Sequence, residues 1–156
     1  MTKYRFSDGA AIVFGGSGGL GTGIVKLLAE SGSDVAFTYH KNKEGAENNL
    51  KSIEDIGRNG LIGGVDLLDI KNVQSFVDEA KEKFGRIHSV IFATGPFLNI
   101  MPVLEAEPED VYHTLDTDIK GFYHVLRAVV PVLKEGGGGS ITALTTAAIH
   151  KYISTD

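Results

Sequence analysis

The sequence contains no cysteine and no tryptophan among its 156 residues. The lack of cysteine excludes disulfide bonds, thiol catalysis and thiolate metal sites. No apolar run reaches the roughly 20 residues that a membrane-spanning helix requires. The first residues lack the charged and apolar pattern of a secretory signal. We therefore expect a cytoplasmic protein that does not enter a membrane.

Positive charge is also scarce, with 15 Lys and Arg residues against 20 Asp and Glu residues and a formal net charge of −5. This balance argues against nucleic acid as a partner, because such proteins usually carry a basic surface. The five histidines show no metal-ligand spacing, so we expect no metal site. The length and the 42% hydrophobic content fit one globular domain over residues 1–156.

Glycine, in contrast, is abundant, and six of the 20 glycines fall between Gly15 and Gly23. The unbroken apolar run 10–14 precedes them and is typical of a strand buried on both faces of a parallel sheet. Helical spacing begins after the turn and predicts one buried face formed by Leu20, Ile24, Leu27 and Leu28. A strand, a glycine turn and a helix in this order are the context of a phosphate-binding loop.

The glycine run predicts an anion site for a simple physical reason. A helix N-terminus offers unpaired N–H groups and a partial positive charge, and glycine has no Cβ to keep a phosphate away. We therefore expect the diphosphate of a dinucleotide over residues 17–20. Three spacings fit the run, and spacing alone does not choose among them: Gly16-x-Gly18-x-x-Gly21, Gly15-x-x-x-Gly19-x-Gly21 and Gly15-x-x-Gly18-x-x-Gly21.

Strand and helix patterns alternate along the rest of the chain, which predicts a Rossmann-like, doubly wound parallel α/β sheet of five strands. The predicted strands are 10–14, 35–39, 61–65, 87–93 and 140–145. The helices between them reach residue 30 or span 44–56, 73–84 and 109–134, and the last is expected to be interrupted or bent near Pro131. Ligands of such sheets bind beyond the carboxyl ends of the strands.

A basic cluster follows the second strand. Tyr39, His40 and Lys41 occupy the strand end, and no carboxylate appears before Glu44. In an NAD site an acidic residue here would bind the ribose hydroxyls. A cluster without a carboxylate favours a 2′-phosphate and hence NADP(H). NAD(H) stays open as the alternative, because the lysine could simply be a solvent-facing residue at a helix start.

Taken in order, these motifs resemble the short-chain dehydrogenase/reductase family, in particular its 3-oxoacyl-carrier-protein reductase-like members. Gly15-x-x-x-Gly19-x-Gly21 is similar to the cofactor motif of that family. The resemblance implies that Asp66 and Leu67 bind the adenine ring, and that residues 92–95 replace the usual Asn-Asn-Ala-Gly. The expected cofactor-binding residues are then Gly15, Ser17, Gly18, Gly19, Leu20, Gly21, Tyr39, His40, Lys41, Asp66, Leu67, Ala93, Thr94 and Gly95.

The resemblance also implies hydride transfer between a nicotinamide and a carbonyl or alcohol carbon. Thr146 stands where the family has its catalytic Ser, and Asp118 stands where it has an Asn that holds a water. The family's acid/base is a Tyr followed four residues later by a Lys. Tyr152 lies only six residues after Thr146 and is followed at that distance by Asp156, so we expect it to be a loop residue.

Two functions follow from this interpretation. The first is an NADP(H)-dependent oxidoreductase acting on a small carbonyl substrate, either a 3-oxoacyl compound or another apolar ketone, with the apolar loop 97–104 lining its pocket. The alternative is a catalytically inactive nucleotide-binding or scaffold protein that lacks the Tyr-Lys pair. The family's later strands and its Tyr-Lys segment do not appear in the 156 residues, so we expect the chain to be part of a longer protein. The resemblance further implies a homo-oligomer built on helix 109–134.

Overall fold

The computed structural model describes residues 6, 8–95, 101–102 and 104–146. Its strands are β1 (Ala10–Phe14), β2 (Asp34–Tyr39), β3 (Gly60–Gly64), β4 (Ile87–Phe92) and β5 (Ser140–Ala143). Its helices are α1 (Gly19–Glu30), α2 (Lys43–Asp55), α3 (Ile70–Phe84), α4 (Pro108–Leu115) and α5 (Gly121–Glu135), and a π-helical turn (Asp116–Lys120) joins α4 to α5. The predicted alternation of strands and helices is confirmed.

All four strand pairs are parallel, and the strand order is β3-β2-β1-β4-β5. The chain builds outwards from β1 to β3 and then returns to place β4 on the other side of β1. The order therefore reverses between β1 and β4, which is where a doubly wound sheet forms its ligand crevice. This arrangement confirms the predicted Rossmann-like fold, and within the described residues β3 and β5 lie at the edges of the sheet.

The central strand explains the unbroken apolar run. Every residue of β1 is fully buried, and its side chains alternate between two core clusters. Ile12 and Phe14 pack with residues of α3 and α5, whereas Val13 packs with residues of α1 and α2. A strand covered by helices on both faces has no solvent side, so it shows no polar alternation.

The predicted buried face of α1 is wrong at two positions. Leu20 is 72% exposed and Leu27 is 63% exposed. The buried residues of the helix are instead Gly21, Val25, Leu28 and Ala29. The reason is the close approach of the helix to the glycine turn at Gly21, which rotates the packed face towards that residue.

The helix is not interrupted at Pro131, because α5 passes through that residue, and the departure from α geometry lies at the π-helical turn. A bend at Pro131 stays a prediction. Pro131 is exposed, so water can reach the backbone carbonyl that it leaves without an N–H donor. Within the described part of the chain, no helix has the length and apolar character needed to cross a membrane.

Candidate functional site

The carboxyl ends of β1, β2, β3 and β4 surround a cavity of about 670 Å³. Its volume falls in the range of roughly 300–1,000 Å³ that small-molecule sites usually have. Most of the residues that the sequence singles out for cofactor binding lie in its wall, and each strand end contributes a different group.

The turn after β1 contributes Gly15, Ser17 and Gly18 to the cavity wall. Gly15 has φ +88°, and a Cβ there would lie 2.8 Å from the Ala93 carbonyl oxygen. A Cβ at Gly21 would overlap the carbonyl of Gly15, whereas a Cβ at Gly19 would meet nothing within 4 Å. The outer glycines of the Gly15-x-x-x-Gly19-x-Gly21 spacing are thus required by the fold. The middle glycine, Gly19, is not required in this way, because a side chain there would extend into open space.

Helix α1 begins at this turn without a side-chain cap. Gly18 is its N-cap residue, and the first turn contains no acidic side chain. The first N–H groups of a helix have no intrahelical partner, so donors at residues 19–21 remain for an external acceptor. Gly19, Leu20 and Gly21 themselves do not line the described cavity; Leu20 points to solvent and Gly21 is buried.

The end of β2 contributes Tyr39, His40 and Lys41 to the wall, as well as Thr38 and Asn42. No carboxylate of the described chain forms an ion pair with Lys41. Thr38, which sequence reasoning missed, is buried, and its hydroxyl oxygen accepts a hydrogen bond of 3.0 Å from the N–H of Gly15. The signal for it was a threonine that directly follows the apolar residues 35–37 of the strand.

The end of β3 contributes Asp66 and Leu67, whose loop is fixed from two sides. One carboxylate oxygen of Asp66, Oδ1, accepts from the N–H of Leu68 at 2.9 Å, and the N–H of Asp66 donates to the side chain of Asn72 at 2.7 Å. The carbonyl oxygen of Leu67 lies 2.8 Å from Nδ1 of His124 and accepts its hydrogen bond. The other oxygen of Asp66, Oδ2, has no hydrogen-bond partner within the described chain.

The end of β4 contributes Ala93, Thr94 and Gly95. The hydroxyl oxygen of Thr94 is buried, and no described residue forms a hydrogen bond with it. An unsatisfied buried hydroxyl is unfavourable by about 1–3 kcal/mol. In the wall of a cavity, such a group is suited to hydrogen-bond a ligand.

The two predicted catalytic residues do not line the described cavity. Asp118 lies in the π-helical turn, where it is largely exposed, although partial burial raises the pKa of its carboxyl above the usual value. Thr146 is exposed three residues beyond the end of β5. The helical residues that do line the cavity are His113 and Thr117, which sequence reasoning missed. They are four positions apart and share a helix face, whereas Asp118 points roughly 100° away.

Two other predictions concern regions outside this site. Most of the predicted substrate loop 97–104, and Tyr152, lie outside the described residues. Among the residues that the structure describes, no three His, Asp or Glu side chains come close enough to hold a metal ion.

A family model described as short chain dehydrogenase matches residues 9–154. This chain belongs to the short chain dehydrogenase family. It is 31% identical over 153 residues to an NADP-dependent mannitol dehydrogenase of Hypocrea jecorina, covering 96% of this chain and 57% of that protein. It is 28% identical over 139 residues to a 3-oxoacyl-acyl-carrier-protein reductase of Staphylococcus aureus, covering 88% and 55%.

The fold of this chain agrees with the fold of a relative whose crystal structure is known. The crystal structure of a short chain dehydrogenase from Burkholderia cenocepacia J2315 in complex with NADP matches with a TM-score of 0.88 and 29% identity. That match covers 97% of this chain and 61% of the other. The chain thus spans a little over half the length of the relatives described here.

Proposed function

We propose that residues 1–156 form the nucleotide-binding domain of an NADP(H)-dependent oxidoreductase. The observation that carries the proposal is the glycine turn at the reversal of strand order. Gly15 and Gly21 are places where a Cβ would collide with neighbouring backbone, and the turn leads into a helix whose first N–H groups are uncapped. The buried, unsatisfied hydroxyl of Thr94 supports the same conclusion, because it places an unused hydrogen-bonding group in the wall of that cavity.

The residues present fit a nicotinamide dinucleotide. The N–H groups of the turn and of the start of α1 would hold the diphosphate. Oδ2 of Asp66 would accept from the adenine amino group, and Thr94 would hydrogen-bond the nucleoside at the other end of the cavity. When bound, the dinucleotide supplies a hydride donor or acceptor. The chain contributes the orientation of the nicotinamide and the exclusion of water.

The basic end of β2 supports NADP(H) over NAD(H). Lys41 is exposed, lines the cavity and has no acidic partner within the described chain, so its ammonium is available to a 2′-phosphate. Calorimetry of Lys41→Ala with NADP⁺ and NAD⁺ tests this role. A charged hydrogen bond lost at an exposed site predicts about tenfold weaker NADP⁺ binding and unchanged NAD⁺ binding. Lys51→Ala, an exposed lysine of α2 outside the cavity, is the matched control.

If Lys41→Ala leaves NADP⁺ affinity unchanged, the lysine is only a solvated surface residue. Tighter binding of NAD⁺ than of NADP⁺ by the wild-type protein would favour NAD(H) as the cofactor.

The reaction that we assign to this cofactor site is the reduction of a small carbonyl compound, either a 3-oxoacyl substrate or another apolar ketone. In this proposal the hydroxyl of Thr146 orients the substrate oxygen and Asp118 holds a water by accepting a hydrogen bond. Consumption of NADPH, followed by absorbance with a series of ketones, tests it. Substrate-dependent oxidation supports the proposal.

A second candidate is a nucleotide-binding protein without turnover. It is favoured by the position of Asp118, whose exposed carboxylate does not line the described cavity and cannot donate as the family's Asn can. Folded protein that binds NADPH but oxidises none of the ketones would support this second candidate.

The joined helices α4 and α5 further support a homo-oligomer. These helices and the π-helical turn between them expose apolar side chains at intervals of four residues: Val111, Leu115, Ile119 and Tyr123 are 41%, 49%, 65% and 55% exposed. Light scattering of Ile119→Asp tests whether this stripe joins two copies. We expect a wild-type dimer or larger assembly that Ile119→Asp dissociates. Leu27→Asp, at the equally exposed Leu27 of α1, should leave the assembly intact.

A further inference from the structure

Two asparagines reach the glycine turn from the start of α2. Asn49 lies within α2 and does not line the cavity, whereas Asn42 is the N-cap residue of the helix and lies in the cavity wall. The side-chain amide of Asn49 donates to the carbonyl oxygen of Gly16 at 2.9 Å and to the hydroxyl of Thr22 at 2.9 Å. The side-chain amide of Asn42 donates to the carbonyl oxygen of Ser17 at 3.0 Å. Two consecutive carbonyls of the turn are therefore held by the same neighbouring helix.

Holding these carbonyls also orients the N–H groups. In a trans peptide the C=O and the following N–H point in opposite directions. Because the Gly16 carbonyl points to Asn49, the N–H of Ser17 points to the other side, and no described residue accepts from it. Because the Ser17 carbonyl points to Asn42, the N–H of Gly18 points in the opposite direction. It donates to the carbonyl oxygen of Gly15 at 3.1 Å, and this hydrogen bond closes the turn.

The turn needs this support because it is rich in glycine. Glycine populates many backbone conformations, so the peptides of such a turn can rotate unless something holds them. The local hydrogen bonds of the turn fix the N–H of Gly15, through Thr38, and the N–H of Gly18. The peptide between Gly16 and Ser17 is fixed only by Asn49 within the described chain.

The surroundings of Asn42 show how its amide is held in place. Asn42 is the N-cap of α2, and its side-chain oxygen accepts from the N–H of Gly45 at 3.0 Å. A Cβ at Gly45 would lie 2.8 Å from the amide carbon of Asn42. The absence of a side chain at Gly45 therefore leaves space for one amide to cap α2 and hold the turn.

We propose that Asn42 and Asn49 are positioning residues of the diphosphate-binding turn. Asn49 aims the N–H of Ser17 at the diphosphate, and Asn42 fixes the next peptide, whose N–H closes the turn on Gly15. Neither role requires contact with the dinucleotide. The inference rests on the proposed function, because it assigns a purpose to the turn that only an anionic ligand would use.

The test compares a ligand that has a diphosphate with one that lacks it. Calorimetry of Asn49→Ala with NADP⁺ and with adenosine 2′-monophosphate separates the turn from the rest of the cavity. We expect NADP⁺ to bind about tenfold more weakly, which corresponds to about 1.4 kcal/mol, while adenosine 2′-monophosphate changes less than twofold. Asn48→Ala is the matched control, because Asn48 is exposed on the same helix and its side chain forms none of these bonds.

Asn42→Ser provides a second, independent variant. Serine still caps a helix but lacks the amide that reaches the Ser17 carbonyl. It should lose NADP⁺ affinity with the same selectivity while thermal unfolding stays close to wild type. This variant decides the matter if Asn49→Ala does not fold.

Each remaining outcome has a definite meaning. Unchanged NADP⁺ affinity in both folded variants, or equal weakening of both ligands, overturns the inference and leaves the proposed function intact. A wild-type protein that binds neither ligand overturns both.

Discussion

Replacement of Gly21 by alanine is the sharpest test of how the glycine turn is built. A Cβ at this position would overlap the carbonyl oxygen of Gly15 and lie 2.9 Å from Cα of Gly16. Both neighbours are backbone atoms, so no side-chain rotation can relieve the overlap. Helix α1 and the turn would have to separate.

The expected change in the unfolding free energy of Gly21→Ala is the sum of two opposing effects. Overpacking of this kind is unfavourable by about 3 kcal/mol, and alanine in place of glycine inside a helix recovers about 1 kcal/mol. We therefore expect Gly21→Ala to lose about 2 kcal/mol of unfolding free energy, or about 4–8 °C in Tm for a chain of this size. Gly23→Ala is the matched control, because a Cβ there meets nothing within 4 Å. It should raise the stability by up to about 1 kcal/mol.

Thermal unfolding followed by circular dichroism measures both variants, and calorimetry with NADP⁺ then measures binding. We expect Gly21→Ala to lose both stability and NADP⁺ affinity, while Gly23→Ala keeps its affinity. A Gly21→Ala protein as stable as Gly23→Ala, with wild-type affinity, would refute the assignment of Gly21 as the contact between helix and turn.

Three further predictions concern single polar groups. Burial, and secondarily the charge of Arg86, lower the pKa of His88 below its usual 6.5, so folding favours the neutral ring. The unfolding free energy of the wild type should therefore fall as the pH drops from about 6.5 towards that lowered pKa. Chemical unfolding of His88→Gln should show a smaller fall. Burial raises the pKa of Asp118, so its ionised form is disfavoured in the folded protein. Asp118→Asn should therefore unfold at or above the wild-type temperature at pH 7. The difference between the two unfolding temperatures should shrink as the pH is lowered towards 4. Thr94→Val removes the unsatisfied hydroxyl. It should raise the unfolding free energy by about 1 kcal/mol and weaken NADP⁺ binding. A loss of stability would contradict the assignment of this hydroxyl as unsatisfied.

The sequence was most informative where burial is extreme. The apolar run of β1 predicts a strand covered on both faces, and the alternation with helices then leaves few sheet topologies. Element ends depend on capping contacts: α3 begins at Ile70, three residues before the predicted start at residue 73. The carboxylate of Asp69 caps the helix by accepting from the N–H groups of Lys71 and Asn72 at 2.9 and 3.3 Å.

The misassigned face of α1 has a physical cause that apolar spacing does not contain. The helix turns Gly21 towards the glycine turn, because only a residue without a side chain fits against the Gly15 carbonyl. Leu20 and Leu27 consequently face solvent. A hydrophobic pattern weights large side chains and gives a glycine contact no weight.

The parts of the cavity that sequence reasoning missed depend on tertiary contacts. Thr38 matters because its hydroxyl meets the N–H of Gly15, 23 positions away in the chain. Asn49 matters because α2 lies beside the glycine turn, and a polar residue in a polar helix gives no sign of this. His113 and Thr117 line the cavity because the helix face that they share lies beside the strand ends, and no motif of the sequence marks that face.

Calorimetric titration of the folded chain with NADP⁺ tests the central claim most directly. We expect saturable binding of one NADP⁺ per chain, tighter than that of NAD⁺, and loss of that binding in Gly21→Ala but not in Gly23→Ala. Folded wild-type protein that takes up neither dinucleotide would contradict it.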